Sequence, residues 1–223
     1  MHQRKSKKVL IYFFLLLIFS SISNNSIYNL KLNKTQNINI SGLNNRDNQD
    51  LFNEIKKINL ENIFLINKSE IKRLVNSNSL IEEYEVFKKY PSTINIKLQK
   101  TNFYAKINSK GKTFLVGSNG KLTLNKSGYS DLPYIFGKPN IKEFLKLKKI
   151  IDDSKFSYKE IKNLYFFPSK RWDLKLKNNI LLRLPNNITY KTLDYLYAFL
   201  ENYKGERFNI VDARIKNQII LNE

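Results

Sequence analysis

"VFKKYPSTINIKLQKT", residues Val86 to Thr101, reads as two strands meeting at a reversal. Ahead of the reversal, Tyr84 and Val86 alternate with Glu83, Glu85 and Phe87; beyond it, Ile94, Ile96 and Leu98 alternate with Asn95, Lys97 and Gln99. A period of two is the mark of a half-buried ribbon. Pro91 presets φ for the first central position of a tight turn and Ser92 suits the second, so the chain turns back over Tyr90-Pro91-Ser92-Thr93. Upstream, "NINISGL" alternates Ile38 and Ile40 and stops at Gly42, as a short strand does. Leu51, Ile55 and Ile58 then recur at helical spacing. A second stripe, Ile71, Leu74 and Val75, follows Asn67 and Glu70, whose spacing is related to the capping box. The resulting order is strand, helix, helix, strand, strand.

Downstream the strand signal dominates. Phe103, Ala105 and Ile107 alternate, Ser109-Lys110-Gly111 turns into "KTFLVG", and Asn119-Gly120 is a hairpin turn into "KLTL". An amphipathic helix is expected from Ile141 to Ile151. Strands resume with "RWDLKL", which puts Trp172, Leu174 and Leu176 on one face. Asn178-Asn179 turns into "ILLRLP", with Ile180, Leu182 and Leu184 inward. A further helix from Tyr190 to Tyr203 carries Leu193, Leu196, Tyr197 and Leu200 as a stripe for core packing. "RFNIVDARIKNQIIL" is either one strand or a tight hairpin about Lys216-Asn217. The class is α+β, with a β-α-α-β-β unit followed by a mostly β unit with packed helices.

Composition narrows the chemistry. The 223 residues contain no cysteine, which removes disulfides, thiolate nucleophiles and Cys-ligated metals. The one histidine, His2, lies in a basic tail, so no His-based triad or zinc site is expected in the folded part. Asp152-Asp153 could be a paired-carboxylate site but reads as a solvated helix end. No enzyme, cofactor, metal site, nucleic-acid partner or small-molecule substrate is expected. The net charge of +20, from 39 Lys+Arg against 19 Asp+Glu, is spread along the chain and reads as solvated lysine faces. An anionic partner is the second reading of that charge.

The N-terminus is directed to a membrane. Arg4, Lys5, Lys7 and Lys8 precede an unbroken apolar run from Val9 to Phe19. Two readings fit: a cleaved signal peptide, with Ser21 and Ser23 as small residues at cleavage spacing, or an uncleaved anchor continuing through Ile27 and Tyr28. In both, the basic flank keeps the N-terminus in the cytoplasm and exports the rest.

In order along the chain, these features resemble the FtsQ/DivIB family of bacterial cell-division proteins. "NIFLINKSEIKRLV" resembles the family's helix-connecting stretch, and Ile81, Val86 and "YPSTINIKL" resemble its hairpin. Together they make a polypeptide-transport-associated (POTRA) domain. "GSNG" is similar to the hairpin opening the family's β domain, "LPYIFG" to its Leu-Pro to Gly segment, "RWDLKLKNNILLRLP" to its Arg-Trp strand pair and "VDARI" to its C-terminal Asp-Leu-Arg strand. Lys100 and Phe103 stand where the family usually has an acidic residue and a proline, and Ala213 stands where it usually has leucine.

The resemblance implies a cytoplasmic tail at 1–8, a single transmembrane anchor at 9–28, a linker at 29–36, a POTRA domain at 37–102 and a β domain at 103–223. It further implies a scaffold of the division septum, single-pass in the inner membrane with most of its chain periplasmic. The partners it implies are FtsB and FtsL, with links to the septal peptidoglycan synthase FtsW/FtsI. The physical route expected is strand addition at the C-terminal edge. The residues after Arg214 alternate weakly, which makes Ile215, Asn217, Ile219 and Leu221 the candidate partner-binding residues; the alternative is that Ile219, Ile220 and Leu221 close the core. A different functional class, an exported basic protein contacting anionic lipid or cell-wall polymer, stays open beside this one.

The resemblance and the basic flank both predict that 9–28 stays attached. Intact mass or N-terminal sequencing of the membrane-extracted protein should show the uncleaved chain. A mature N-terminus near Asn24 would instead make the segment a signal peptide.

Overall fold

The computed structural model describes residues 7–21, 37–58, 68–90, 92–125, 131–203, 208–215 and 218–222. Helix α1 (Lys7–Ser21) has 15 residues, about 22 Å at about 1.5 Å per residue. Its residues from Val9 to Phe19 are exposed. Among the described residues no helix is long and apolar enough to cross a membrane. The rest of the expected 9–28 span lies outside the described residues beyond Ser21.

The opening hairpin forms as its alternation dictates. β1 (Asn37–Ser41), α2 (Asn45–Lys56), α3 (Lys68–Ser77), β2 (Ile81–Lys89) and β3 (Thr93–Lys100) follow in order. They build a 3-stranded sheet in the order β1-β3-β2. β1 runs parallel to β3, and β2 antiparallel. Lys89 pairs with Thr93 at the closed end of the hairpin; Pro91 lies outside the described residues, as does Asn67. Ile94, Ile96 and Leu98 point to one face, where they pack with Leu51 and Ile55 of α2 and Ile71 and Val75 of α3. Burying each such side chain contributes about 1.5–3 kcal/mol. Gly42 lets the chain leave β1: its φ is +117°, and a Cβ there would overlap the Leu98 carbonyl. The Asn44 side chain then accepts from the Asp47 amide at 2.8 Å and starts α2.

The second unit is a 9-stranded sheet. Its strands are β4 (Phe103–Ser109), β5 (Lys112–Gly117), β6 (Leu122–Leu124), β7 (Tyr134–Phe136), β8 (Ile161–Phe166), β9 (Trp172–Leu176), β10 (Leu181–Arg183), β11 (Ile210–Asp212) and β12 (Ile220–Asn222). They lie in the order β12-β11-β10-β9-β8-β7-β4-β5-β6. Helix α4 (Ile141–Asp152) connects parallel neighbours β7 and β8, and α5 (Tyr190–Asn202) connects parallel neighbours β10 and β11. A parallel pair needs such a crossover, which a hairpin cannot supply. Asn140 and Thr189 cap the two helices through the amides of Lys142 and Thr192.

One register runs through the whole sheet. Leu124, Phe114, Ile107, Ile135, Leu164, Leu174, Leu182, Val211 and Leu221 sit side by side from β6 to β12. Phe144, Leu147 and Ile151 of α4 and Leu193 and Leu196 of α5 close over this row. Both strands that had no clear reading in the sequence, β7 and β8, lie mid-sheet. The C-terminal stretch reverses, with β11 and β12 antiparallel, but across the connection 213–219 and not in the tight hairpin expected; Lys216 and Asn217 lie outside the described residues.

Ile96 is fully buried between the first sheet and its helices. Ile96→Asp places an unpaired charge there and should cost about 3 kcal/mol or more. The variant should melt well below wild type or fail to accumulate, and an unchanged melting temperature would show that the faces are assigned wrongly.

Candidate functional site

The two edges of the large sheet differ. At one end Thr123 of β6 donates to the Ser79 hydroxyl at 2.8 Å, so this edge abuts the first unit. At the other end β12 has no strand on its outer side among the described residues. Neither Pro nor Lys, the usual guards of an edge, occurs in Ile220–Asn222. β12 carries apolar groups on both faces: Leu221 ends the buried row, Ile220 points the other way, and they are 38% and 45% exposed.

Of the residues expected to bind, Ile215 is exposed in the connection before β12, Leu221 is on the strand, and Ile219 is half-buried against the core. Asn217 lies outside the described residues. The two readings of this stretch therefore divide by residue: Ile219 packs inward, whereas Ile215 and Leu221 stay exposed. Ile220, which the alternation had not singled out, is as exposed as its neighbour because both faces of an edge strand are open.

Beside the edge is a groove of about 1160 Å³ between the loop after β10, the start of α5 and the C-terminal stretch. Arg171, Lys191 and Arg214 line it together with Tyr195, Ile215 and Ile219, and among the described residues no acidic side chain does. The carboxylates Asp173 and Asp212 instead lie buried in the sheet alongside. On the face opposite the helices, Asp173, Arg183, Asp212 and Ile220 are register neighbours across β9 to β12. Arg171 Nε donates to Asp173 Oδ1 at 3.1 Å. Arg214 Nε donates to Asp212 Oδ1 and Oδ2 at 2.8 and 2.9 Å. Arg183 stands 3.8 Å from Asp212. The "RWD" and "DAR" stretches, far apart in sequence, thus form one ladder of alternating charge that leads to the edge.

The two carboxylates respond to this setting in opposite ways. The Arg214 hydrogen bonds hold Asp212 below the usual carboxylate range, against some burial. Burial pushes Asp173 up, with Arg171 only partly offsetting it.

Asp152-Asp153 lies at the end of α4. Asp152 accepts from Lys148 one turn earlier, and Asp153 is the residue at which α4 ends. Lys148 is buried between the rings of Tyr104 and Tyr158, each 4.5 Å away. Burial drives the Tyr158 hydroxyl far above the ordinary phenol range, so it stays a donor to the Tyr104 carbonyl at 2.9 Å. Among the described residues no group of carboxylates and histidines could hold a metal ion.

The lowered pKa of Asp212 sets a pH dependence. Its ionised form stabilises the fold above the ordinary value of 3.8, and this contribution is lost as pH falls through the lower folded value. Asp212→Asn should therefore melt below wild type at neutral pH, and the gap should close on acidification below that value. A gap that is constant with pH would mean that the charge of Asp212 contributes nothing.

Comparison with known proteins agrees with this architecture. Residues 33–100 match the POTRA domain, FtsQ-type, family, and residues 98–214 match the cell division protein FtsQ/DivIB, C-terminal, family. The cell division protein FtsQ of Rickettsia bellii is 26% identical over 188 residues, covering 83% of this chain and 70% of its own. That of Rickettsia felis is 27% identical over 192 residues, with the same coverage of 83% and 70%. Among solved structures, the major extracytoplasmic domain of the cell division protein DivIB from Geobacillus stearothermophilus aligns at a TM-score of 0.34 and 12% identity, over 49% of this chain and 99% of that one. With an FtsQ-type POTRA domain leading directly into the C-terminal domain of the same family, the chain belongs to the FtsQ/DivIB family of bacterial cell-division proteins.

Proposed function

We propose that this protein is a non-catalytic scaffold of the division septum that docks FtsB and FtsL by strand addition to β12, and through them is linked to FtsW/FtsI. The observation that carries this reading is the edge itself: a terminal strand without guarding residues, with Ile220 and Leu221 exposed on its two faces. A partner strand laid there gains main-chain hydrogen bonds along its length and apolar contacts on alternate residues. In the groove alongside, Lys191 suits a partner that carries an acidic side chain beside that strand, whereas Arg171 and Arg214 are already paired with Asp173 and Asp212. The long edge strand of the POTRA sheet is a poorer dock, since β2 carries Glu82, Glu83, Glu85, Lys88 and Lys89. The apolar run of α1 would hold the scaffold in the inner membrane as a single-pass protein, with the folded domains in the periplasm.

Proline scanning across Gln218 to Asn222 tests the dock. Along an edge strand, backbone N–H groups point alternately to the neighbouring strand and outward, so alternate prolines should be tolerated by the fold. At least one variant should keep its circular dichroism and melting temperature yet lose co-purification with FtsB and FtsL. Binding retained by every folded variant would rule out this edge. The net charge of +20 favours a second reading, a lysine-rich surface for anionic lipid or cell-wall polymer. Capture by charge should fall steeply as salt is raised, whereas strand addition should change little.

A further inference from the structure

We infer that the hairpin from Gly117 to Thr123 is a lock that holds the POTRA and C-terminal domains as one rigid body, with Asn119 and Glu82 as its positioning residues. The covalent link between the domains is only the stretch at Thr101-Asn102, and two domains joined so briefly move against each other by default. Here the hairpin of one domain grips the segment from Asn76 to Glu82 of the other. Asn119 Nδ2 donates to the carbonyls of Ser79 and Ile81 at 3.0 and 2.8 Å, while its Oδ1 accepts from the Lys121 amide at 3.0 Å. One side chain therefore ties its own turn to two backbone acceptors across the junction.

Glu82 completes the grip from the other side. Its Oε2 accepts from the Thr101 hydroxyl at 2.8 Å and the Ser118 hydroxyl at 2.6 Å. Both hydroxyls are oriented for this because each also accepts a backbone N–H: Ser118 Oγ from Asn102 at 3.0 Å, and Thr101 Oγ1 from Asn119 at 3.4 Å. A carboxylate bonded to two such donors is a charge-assisted pair and holds its geometry well. Lys121 adds a third point. Its Nζ donates to the carbonyls of Asn76 and Asn78 at 2.6 and 3.1 Å, placing a cation at the C-terminal end of α3, where the helix leaves acceptors unmet.

The fit leaves little room for slip. A Cβ at Gly117 would stand 2.6 Å from Asn119 Oδ1 and 3.0 Å from Thr101 Oγ1, so a side chain there would displace two groups of the grip. The contacts are polar and directional, and they come from several chain positions, so rotating one domain about the link breaks them together. The consequence for docking, which rests on the reading of β12 above, is that the docking edge is held at one fixed orientation to the POTRA domain. The rigidity itself does not depend on that reading.

The absence of cysteine makes the test direct. Lys72→Cys and Lys142→Cys, exposed on α3 and α4, place one spin label on each domain of the detergent-solubilised full chain. Electron–electron double resonance should give a single narrow distance distribution, and Glu82→Ala with Asn119→Ala should broaden it. Calorimetry should show one shared transition that the double variant splits in two. Should that variant fail to fold, Ser118→Ala with Lys121→Ala alters only turn side chains of the grip and should broaden the distribution likewise. A broad distribution in the unaltered junction, or an unchanged narrow one in the folded lock variants, would overturn the lock whatever binds at β12.

Discussion

An unbroken apolar row crosses the large sheet from Leu124 on β6 to Leu221 on β12, and the rest of that domain depends on its register. Side chains alternate strictly along a strand, so a slip of one residue anywhere would turn an entire strand inside out. With the row in place, α4 and α5 have a face to cover, and both crossovers return to that face. The opposite face inherits whatever lies one residue away. That is how Asp173, Arg183 and Asp212 come to stand beside one another, and how Ile220 is left facing outward at the edge.

The same constraint explains why the edge is open on both sides. Leu221 must point to the helix face to extend the apolar row, but no further strand completes its surroundings among the described residues, so it stays partly exposed. Ile220 has Asp212 as its register neighbour on the outer face and is exposed as well. A docking strand would solve both problems together, which is a stronger reason for strand addition than the bare backbone edge alone. The opposite edge is managed within the chain, where β6 abuts the first domain through Thr123 and Ser79. β6 thus meets the first domain at Thr123, while Leu122 and Leu124 on either side of it are as exposed as Leu221 of β12.

Much of this was legible in the sequence, because it is local. The β1-α2-α3-β2-β3 order follows from a period of two in Ile94, Ile96 and Leu98 and from helical spacing in Leu51, Ile55, Ile71 and Val75, all of which are buried as that spacing requires. "RWDLKL" and "ILLRLP" likewise form adjacent strands around an Asn turn in which Asn179 takes φ +68°. β7 and β8 were not legible. "YIF" is too short to show a period, and Ile161–Phe166 mixes aromatic and polar residues at a bulge. They pair with each other in parallel across helix α4, for which a sequence has no turn signal, while β8 also pairs antiparallel with β9 through a turn at 167–171 that no alternation marks.

The sequence by itself determined the type of most elements and the faces they bury, the lack of cysteine and of any histidine beyond His2, and the family resemblance, because each rests on composition or on neighbours a few residues apart. Tertiary structure alone decided what meets across the chain. Glu82, Ser118 and Asn119 are ordinary polar residues locally, yet packing brings them within 2.6 to 3.0 Å of partners up to 40 residues distant. Arg171-Asp173 and Asp212-Arg214 become one ladder only when β10 inserts between their strands. The physical reason is the same in both cases: a hydrogen bond or ion pair depends on distance in space, and at a junction or a sheet edge that distance is set by register and by helices that pack far from either partner.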